Sequence, residues 1–380
     1  MEATTMLVGL RVCSLRITRQ AWENEPRKRR YRRLHMHDAK TPITVKSAFE
    51  SLQAAGYPRS YVKKLLPDWW DNSLLKTSSG VFQFALILKQ RLGLEVNFGQ
   101  DGVLAIEPGA ARANFKHRAD TRVDELNVAA GLGIALARLA VFATREPYRA
   151  LPAEPVRLYQ LVRERSGRPT ADYEGLLDLC WAHGIPVLFL KEMPRNTKRM
   201  TGMAVMVDGR PAILLGYNHV QHSKQLFVLA HELAHILCGH VQDNGILIDE
   251  DIADVREGLE GGTQVRRDGQ EREADAFALG LIRNGQMAVM RQIPRQASAA
   301  VLASATMRLS REIGVDQGHL ILSYAKEHDD WIGAVQALNF IEQSAGAIEL
   351  LQRRFLANTD FNAISEESAE HLLSMQGIQG

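Results

Sequence analysis

Residues 227–240 read FVLAHELAHILCGH, and five of them, His231-Glu232-Leu233-Ala234-His235, form an H-E-x-x-H. Side chains four apart on an α-helix lie on one face, about one turn from each other. His231 and His235 can therefore aim two imidazoles at a single point, where nitrogen donors suit a zinc ion. Glu232 projects about 100° further round the helix. From there it can take a proton from a water and pass it to a leaving amine. Leu229, Leu233, Ile236 and Leu237 make the rest of the helix apolar and so bury it. Ser223 is the expected N-cap, with the helix running from Lys224 to Cys238, and Gly239 is the residue that ends it. Cys238 reads as a small buried hydrophobe, and His240 as a donor at the helix end. Two core histidines bonded to backbone carbonyls would give the same five letters, so the reading needs a third ligand.

In the H-E-x-x-H-x-x-G-x-x-H pattern a glycine stands three residues after the second histidine and a third histidine six after it. Cys238 and Val241 occupy those places here, with Gly239 and His240 each one residue out of register, so that pattern does not apply. The better candidate is Glu271 in EREAD, residues 271–275. Its carboxylate can complete the ligand set, and Asp275, one turn on, can bond the far nitrogen of a ligand histidine and fix its tautomer. Asp268-Gly269-Gln270-Glu271 also matches a capping box, in which Glu271 would only satisfy the helix start. Glu273, read as lying at adjacent helical phase, is the alternative ligand.

Outward from the motif, GIPVLFL (184–190) reads as a buried strand and MTGMAVMVDGRPAILLGY (200–217) as a hairpin turning at Asp208-Gly209. VRLYQLVRERSG (156–167), DYEGLLDLCWAHG (172–184) and QEREADAFALGLI (270–282) have helical periodicity. The segment 241–267 reads as a linker, acidic in its middle and glycine-rich later. The fold class is α+β: a mostly helical chain with a small antiparallel or mixed sheet.

At these residues the chain resembles the ImmA/IrrE family of zinc metallopeptidases. The match is the hairpin, FVLAHELAHILCGH and EREADAFALGLI, reaching back to GIPVLFL, about residues 155–285. Family members close the last helix with an L-L-M-P-like tail, whereas this chain has Leu281-Ile-Arg-Asn284. The resemblance implies a small-sheet, zincin-like metallopeptidase core and a cytoplasmic, site-specific zinc endopeptidase with His231, His235 and Glu271 as metal ligands and Glu232 as general base. It also implies a helix-turn-helix repressor or antitoxin as substrate or partner, in a toxin–antitoxin, mobile-element or phage-defence setting. An exposed edge of the 200–217 hairpin could take up an extended substrate by strand addition. Tyr217, His219 and His222 are candidates to stabilise the oxyanion, though spacing selects none of them. A cysteine filling zinc's open position could hold such a site latent.

The flanks bound the rest. Residues 1–150 read as a helical, irregular region with a basic arm, 151–285 as the metallopeptidase domain and 286–380 as all-helical. Near the start, SAFESLQAAG (47–56), a short helix at 60–66 and VFQFALILKQRLGL (81–94), ended by Gly93, frame a paired Trp69-Trp70 read as packing residues. A further helix runs over 123–145. Toward the end the helices are 303–314, 318–327, one long helix over 329–355, and 367–376.

Net charge is +2 from 46 Lys+Arg against 44 Asp+Glu, so the molecule as a whole is no polycation. Six of the basic residues cluster between Arg27 and Arg33, a run that could contact DNA phosphates. A DNA- or partner-binding regulator or toxin that uses the peptidase fold as a scaffold, without proteolysis, is the competing reading. Three cysteines with no C-x-x-C argue against a disulfide framework and for a reducing compartment. The nearly apolar run Val128–Ala143 contains Arg138 and falls short of the roughly 20 residues a membrane span needs. With no basic-then-apolar signal design at the start, the expectation is a soluble, cytoplasmic protein without membrane contact.

Overall fold

The computed structural model describes residues 44–98, 104–108, 113–116, 123–195, 197–242, 244–249, 269–286, 293–295, 298–341 and 345–379. The Arg27–Arg33 run, Cys13 and Asp268 lie outside them. In chain order the elements are α1 (Val45–Ala54), α2 (Arg59–Leu65), α3 (Ser78–Leu92), β1 (Leu94–Phe98), β2 (Leu104–Pro108), β3 (Ala113–Lys116), α4 (Val123–Ala143), α5 (Pro155–Ser166) and α6 (Tyr173–Ala182). Then follow β4 (Val187–Phe189), β5 (Gly202–Val207), β6 (Arg210–Leu215), α7 (His222–Leu237), β7 (Ile246–Asp249) and α8 (Gly269–Ile282). The last are α9 (Ala299–Ile313), α10 (Gln317–His328), α11 (Trp331–Leu338), α12 (Ala347–Asn358) and α13 (Glu366–Met375). The class is α+β and mostly helical, as expected.

The sheet that carries the site has the order β3-β7-β5-β6-β4, with β5 antiparallel to both β6 and β7. The expected hairpin forms, its turn set by Asp208 (φ 47°) and Gly209 (φ 72°). Positive φ at both central residues is the twist-matching type I′ geometry. The strand-addition expectation is corrected here. β7 pairs with β5 over Val205–Gly202, and β4 pairs with β6 over Ile213–Leu215, so the hairpin lies inside the sheet and its edges are taken.

Neighbouring residues of β5 face opposite sides of the sheet, as the period-two alternation requires. Gly202 abuts Glu232 of α7, while Met203 abuts Gly133 of α4, so the two helices cover the two faces. Leu126–Ala143 within α4 is long and apolar enough, by length and composition, to cross a membrane. Here 72% of it is buried inside the protein as the helix behind the sheet.

Several expectations change. The region read as helical and irregular contains β1, β2 and β3, and the segment read as a linker contains β7. Helix α7 starts at His222 with Gln221 as its N-cap, which makes no side-chain cap bond, so Ser223 is not the cap. Side chains fasten that end instead: His222 Nε2 donates to Ala345 O at 2.9 Å and Gln225 Nε2 donates to Tyr217 O at 2.7 Å. The single helix expected over 329–355 is two, α11 and α12. Gly346 caps α12, and Ala347 N donates to Val220 O at 3.0 Å, tying its start to the loop before α7. Of the paired tryptophans, Trp70 stacks on Phe84 at 5.2 Å. Trp69 is 51% exposed and donates to Glu367 Oε1 at 2.6 Å, so it braces the surface and does not fill the core.

One apolar cluster runs from Ala48 to Met375 and takes in the sheet with α4, α6, α7 and α12. A second, smaller cluster is confined to Ile293–Leu338, among α9, α10 and α11.

Candidate metal centre

The site is built where α7 packs against α8 below the sheet. His231 and His235 are 1% and 0% exposed, and their Nε2 atoms stand 2.9 Å apart. Glu271, in the first turn of α8, brings Oε2 to 3.4 Å from His231 Nε2 and Oε1 to 3.6 Å from His235 Nε2. All three donor atoms lie within 4.8 Å of one another. Bond lengths of about 2.0–2.1 Å place tetrahedral zinc donors about 3.3 Å apart. Observed separations of 2.9, 3.4 and 3.6 Å bracket that value, so the trio fits a small divalent cation. Two imidazoles and one carboxylate also leave one tetrahedral position for a reactant, as catalytic sites require.

Each histidine is held from behind. Asp275 Oδ1 lies 3.0 Å from His231 Nδ1, the placement expected of a residue that fixes its tautomer. His235 Nδ1 lies 2.9 Å from His240 Nδ1, and His240 Nε2 lies 3.2 Å from Glu273 Oε2. His235 thus has its own relay to the surface, through a residue read from sequence only as a helix-end donor. The turn after α7 delivers it. Gly239 sits at φ 72°, its N–H donates to Ile236 O at 3.2 Å, and His240 N–H donates to His235 O at 2.9 Å. This Schellman arrangement folds the second residue past the helix back over the last turn.

Glu273, the alternative ligand, faces His240 and not the inner trio. Residues two apart on a helix differ by about 200° in phase, so Glu271 and Glu273 do not share a face.

Glu232 is fully buried, lying between α7 and β5. A Cβ at Gly202 would fall 2.0 Å from Glu232 Oε1, so only a glycine there leaves room for the carboxylate.

Other candidates lie elsewhere or have other work. His222 is bonded to Ala345 O and lies edge-on to Tyr173 at 5.6 Å, bracing the start of α7. Tyr217 and His219 stack on each other at 5.9 Å. Burial and the charge of Lys224 lower His219 to about 4, which keeps it neutral at neutral pH. Cys180 is fully buried in the core, where burial pushes its thiol up to about 12. Cys238 is half-buried at the C-terminus of α7, its thiol raised by burial and by Glu273.

A histidine pair on one helix, joined by a carboxylate from the next and flanked by a buried glutamate, defines the H-E-x-x-H class of metal-site proteins. Within it, residues 180–305 match the Peptidase_M78 family model, described as the IrrE N-terminal-like domain. This is the ImmA/IrrE family that the sequence resembles, and the match, over about a third of the chain, implies a metallopeptidase. No curated protein matches the chain.

Proposed function

We propose that the protein is a zinc-dependent, site-specific endopeptidase whose substrate is a helix-turn-helix repressor or antitoxin-type partner. Toxin–antitoxin, mobile-element or phage-defence systems are the setting in which such a partner is cut. The observation that carries the reading is the convergence of His231, His235 and Glu271 donor atoms within 4.8 Å, beside a fully buried Glu232.

A bound zinc ion supplies a Lewis acid that polarises the scissile carbonyl and acidifies water. His231 and His235 hold the reacting centre on one rigid helix, with Asp275 and His240 fixing their ring orientations. Glu232 accepts the proton of the attacking water and delivers it to the departing amine, so one carboxylate serves as base and then as acid. Burial between α7 and the sheet excludes competing water and strengthens each of these interactions.

The test is to incubate the zinc-loaded protein with helix-turn-helix repressors from the same genome, neighbouring genes first, and to map fragments by mass spectrometry. Cleavage at one bond is expected. Glu232→Gln should remove it, by about 10²–10⁴-fold, with zinc content unchanged. Cleavage that persists at full rate in that variant rejects the mechanism. Salt-dependent DNA binding that needs Arg27–Arg33, with no fragment of any partner, would favour the regulator reading.

A further inference from the structure

Behind the inner trio lies a second group of cation donors. Cys238 Sγ, a His240 ring nitrogen and a Glu273 carboxylate oxygen all lie within 4.8 Å of one another. They are of three chemical kinds, sulfur, nitrogen and oxygen, a mixture that zinc accepts and that hard cations such as Mg2+ do not favour. Two of the three stand on main chain held by backbone bonds: Cys238 N–H donates to Ala234 O at 2.8 Å and His240 N–H to His235 O at 2.9 Å. The third is adjustable: Glu273 Oε2 already lies 3.2 Å from His240 Nε2, and its side chain is 63% exposed. Zinc bond lengths of about 2.3 Å to sulfur and about 2.0–2.2 Å to nitrogen and oxygen set tetrahedral donors about 3.3–3.6 Å apart, inside the 4.8 Å within which all three lie.

We propose that Cys238, His240 and Glu273 form an outer site for a thiolate-preferring divalent cation, Zn2+ by chemical class, whose filling loosens the inner site. Cys238 is not placed as a redox nucleophile: reactive cysteines have lowered pKa values, whereas burial and Glu273 raise this one. An incoming cation displaces the thiol proton as it binds, which is the ordinary route to a thiolate ligand.

Coupling to the inner site follows from proton bookkeeping at His240, and this part rests on the reading of His235 as a metal ligand. If His235 gives its Nε2 lone pair to an inner cation, its proton sits on Nδ1 and is donated across the 2.9 Å gap to His240 Nδ1. His240 then carries its own proton on Nε2 and donates it to Glu273 at 3.2 Å. An outer cation needs the His240 Nε2 lone pair, so the His240 proton must move to Nδ1. Two N–H groups would then face each other across one gap. Either the outer cation or the His235 contact must yield, and by linkage each weakens the other equally.

The experiment uses the full-length, zinc-loaded chain carrying Cys13→Ser, titrated with Cd2+ alone. A cadmium–thiolate charge-transfer band should grow to one cadmium per chain. It should vanish in Cys238→Ser and need at least about fivefold more cadmium in Glu273→Gln. Cys238→Ser replaces one small half-buried atom, and an unchanged thermal midpoint confirms that it folds. The band should survive in His231→Ala, which disables the inner site, so failure of the inner reading is seen separately from failure of this one. A zinc-sensitive dye should report inner zinc leaving about fivefold or more faster once the outer site fills. Absence of the band, its persistence in Cys238→Ser, or its loss in His231→Ala overturns the outer site. An unchanged rate of zinc release overturns the coupling.

Discussion

At Gly202 the sheet and the proposed base touch with nothing to spare. An added methyl would meet Glu232 Oε1 at 2.0 Å and Cδ at 2.5 Å, with the rest of the carboxylate arm close behind. Gly202→Ala should therefore push Glu232 off its position while leaving His231, His235 and Glu271 in place. A displacement of about 1 Å is enough to cost roughly 10²-fold in turnover. The expected result is that loss in kcat with full zinc content and a stability cost of about 1–3 kcal/mol from overpacking. Unimpaired turnover would mean that Glu232 is not the base. Asp275→Asn tests the opposite side of the site. It keeps the shape but removes the carboxylate 3.0 Å from His231 Nδ1, so zinc affinity measured by chelator competition should fall about 10–100-fold. Equal affinity would place the control of the His231 tautomer elsewhere. His231, Glu232 and His235 are legible in the sequence because a single helical repeat sets their relation. Glu271 is legible only through chemistry, as the carboxylate that a third-ligand position would call for. The role of His240 is not, because the turn at Gly239 must first fold it back onto the helix.

Among elements, that turn is the one a single residue controls. Gly239 sits at φ 72° with no atom within 4 Å of where a Cβ would be, so the cost of a side chain there is conformational and not steric. Gly239→Ala should destabilise the fold by about 1–2 kcal/mol in denaturant titration. It should also loosen the His235–His240 contact, read as faster zinc loss. Destabilisation without faster loss would detach the relay from metal retention. The strands show why a sequence gives some elements and hides others. The β5–β6 hairpin is local and carries a turn signal at Asp208-Gly209, so it is readable. Strand β7 has four residues, Ile246–Asp249, and its partners are β5 and the distant β3. Nothing near it in the chain announces pairing. The long helix expected over 329–355 fails for a similar reason: apolar periodicity continues across a break at the extended Gly346, after which Ala347 N–H donates to Val220 O. The departure from the family's tail also has a structural answer. Arg283, 6% exposed, donates Nε–H to His319 Nε2 at 2.9 Å and reaches Ser323 Oγ at 3.3 Å, joining the end of α8 to α10.

Across the whole molecule, buried neutral histidines away from the candidate metal centre tie folding to pH. His319 is 1% exposed and is held well below its ordinary value of 6.5 by burial and by the charge of Arg283. His371 is 4% exposed and is lowered to about 3 by burial and then by Arg91. His219 is lowered as well, but its greater solvent contact weakens its share. Because the folded values lie below the unfolded value of 6.5, the unfolded chain binds more protons as pH falls through 6.5. Stability is therefore present above that pH and lost below it. At about 1.4 kcal/mol per pH unit for each group, His319 and His371 should together remove roughly 2–3 kcal/mol between about pH 7.5 and 5.5. The loss should appear as a lower urea midpoint in protein stripped of metal, above the range in which carboxylates titrate. His371→Leu should roughly halve it. A midpoint independent of pH over that interval would mean that these histidines are solvated, and with them the contacts that fasten α10 and α13 to the rest of the chain.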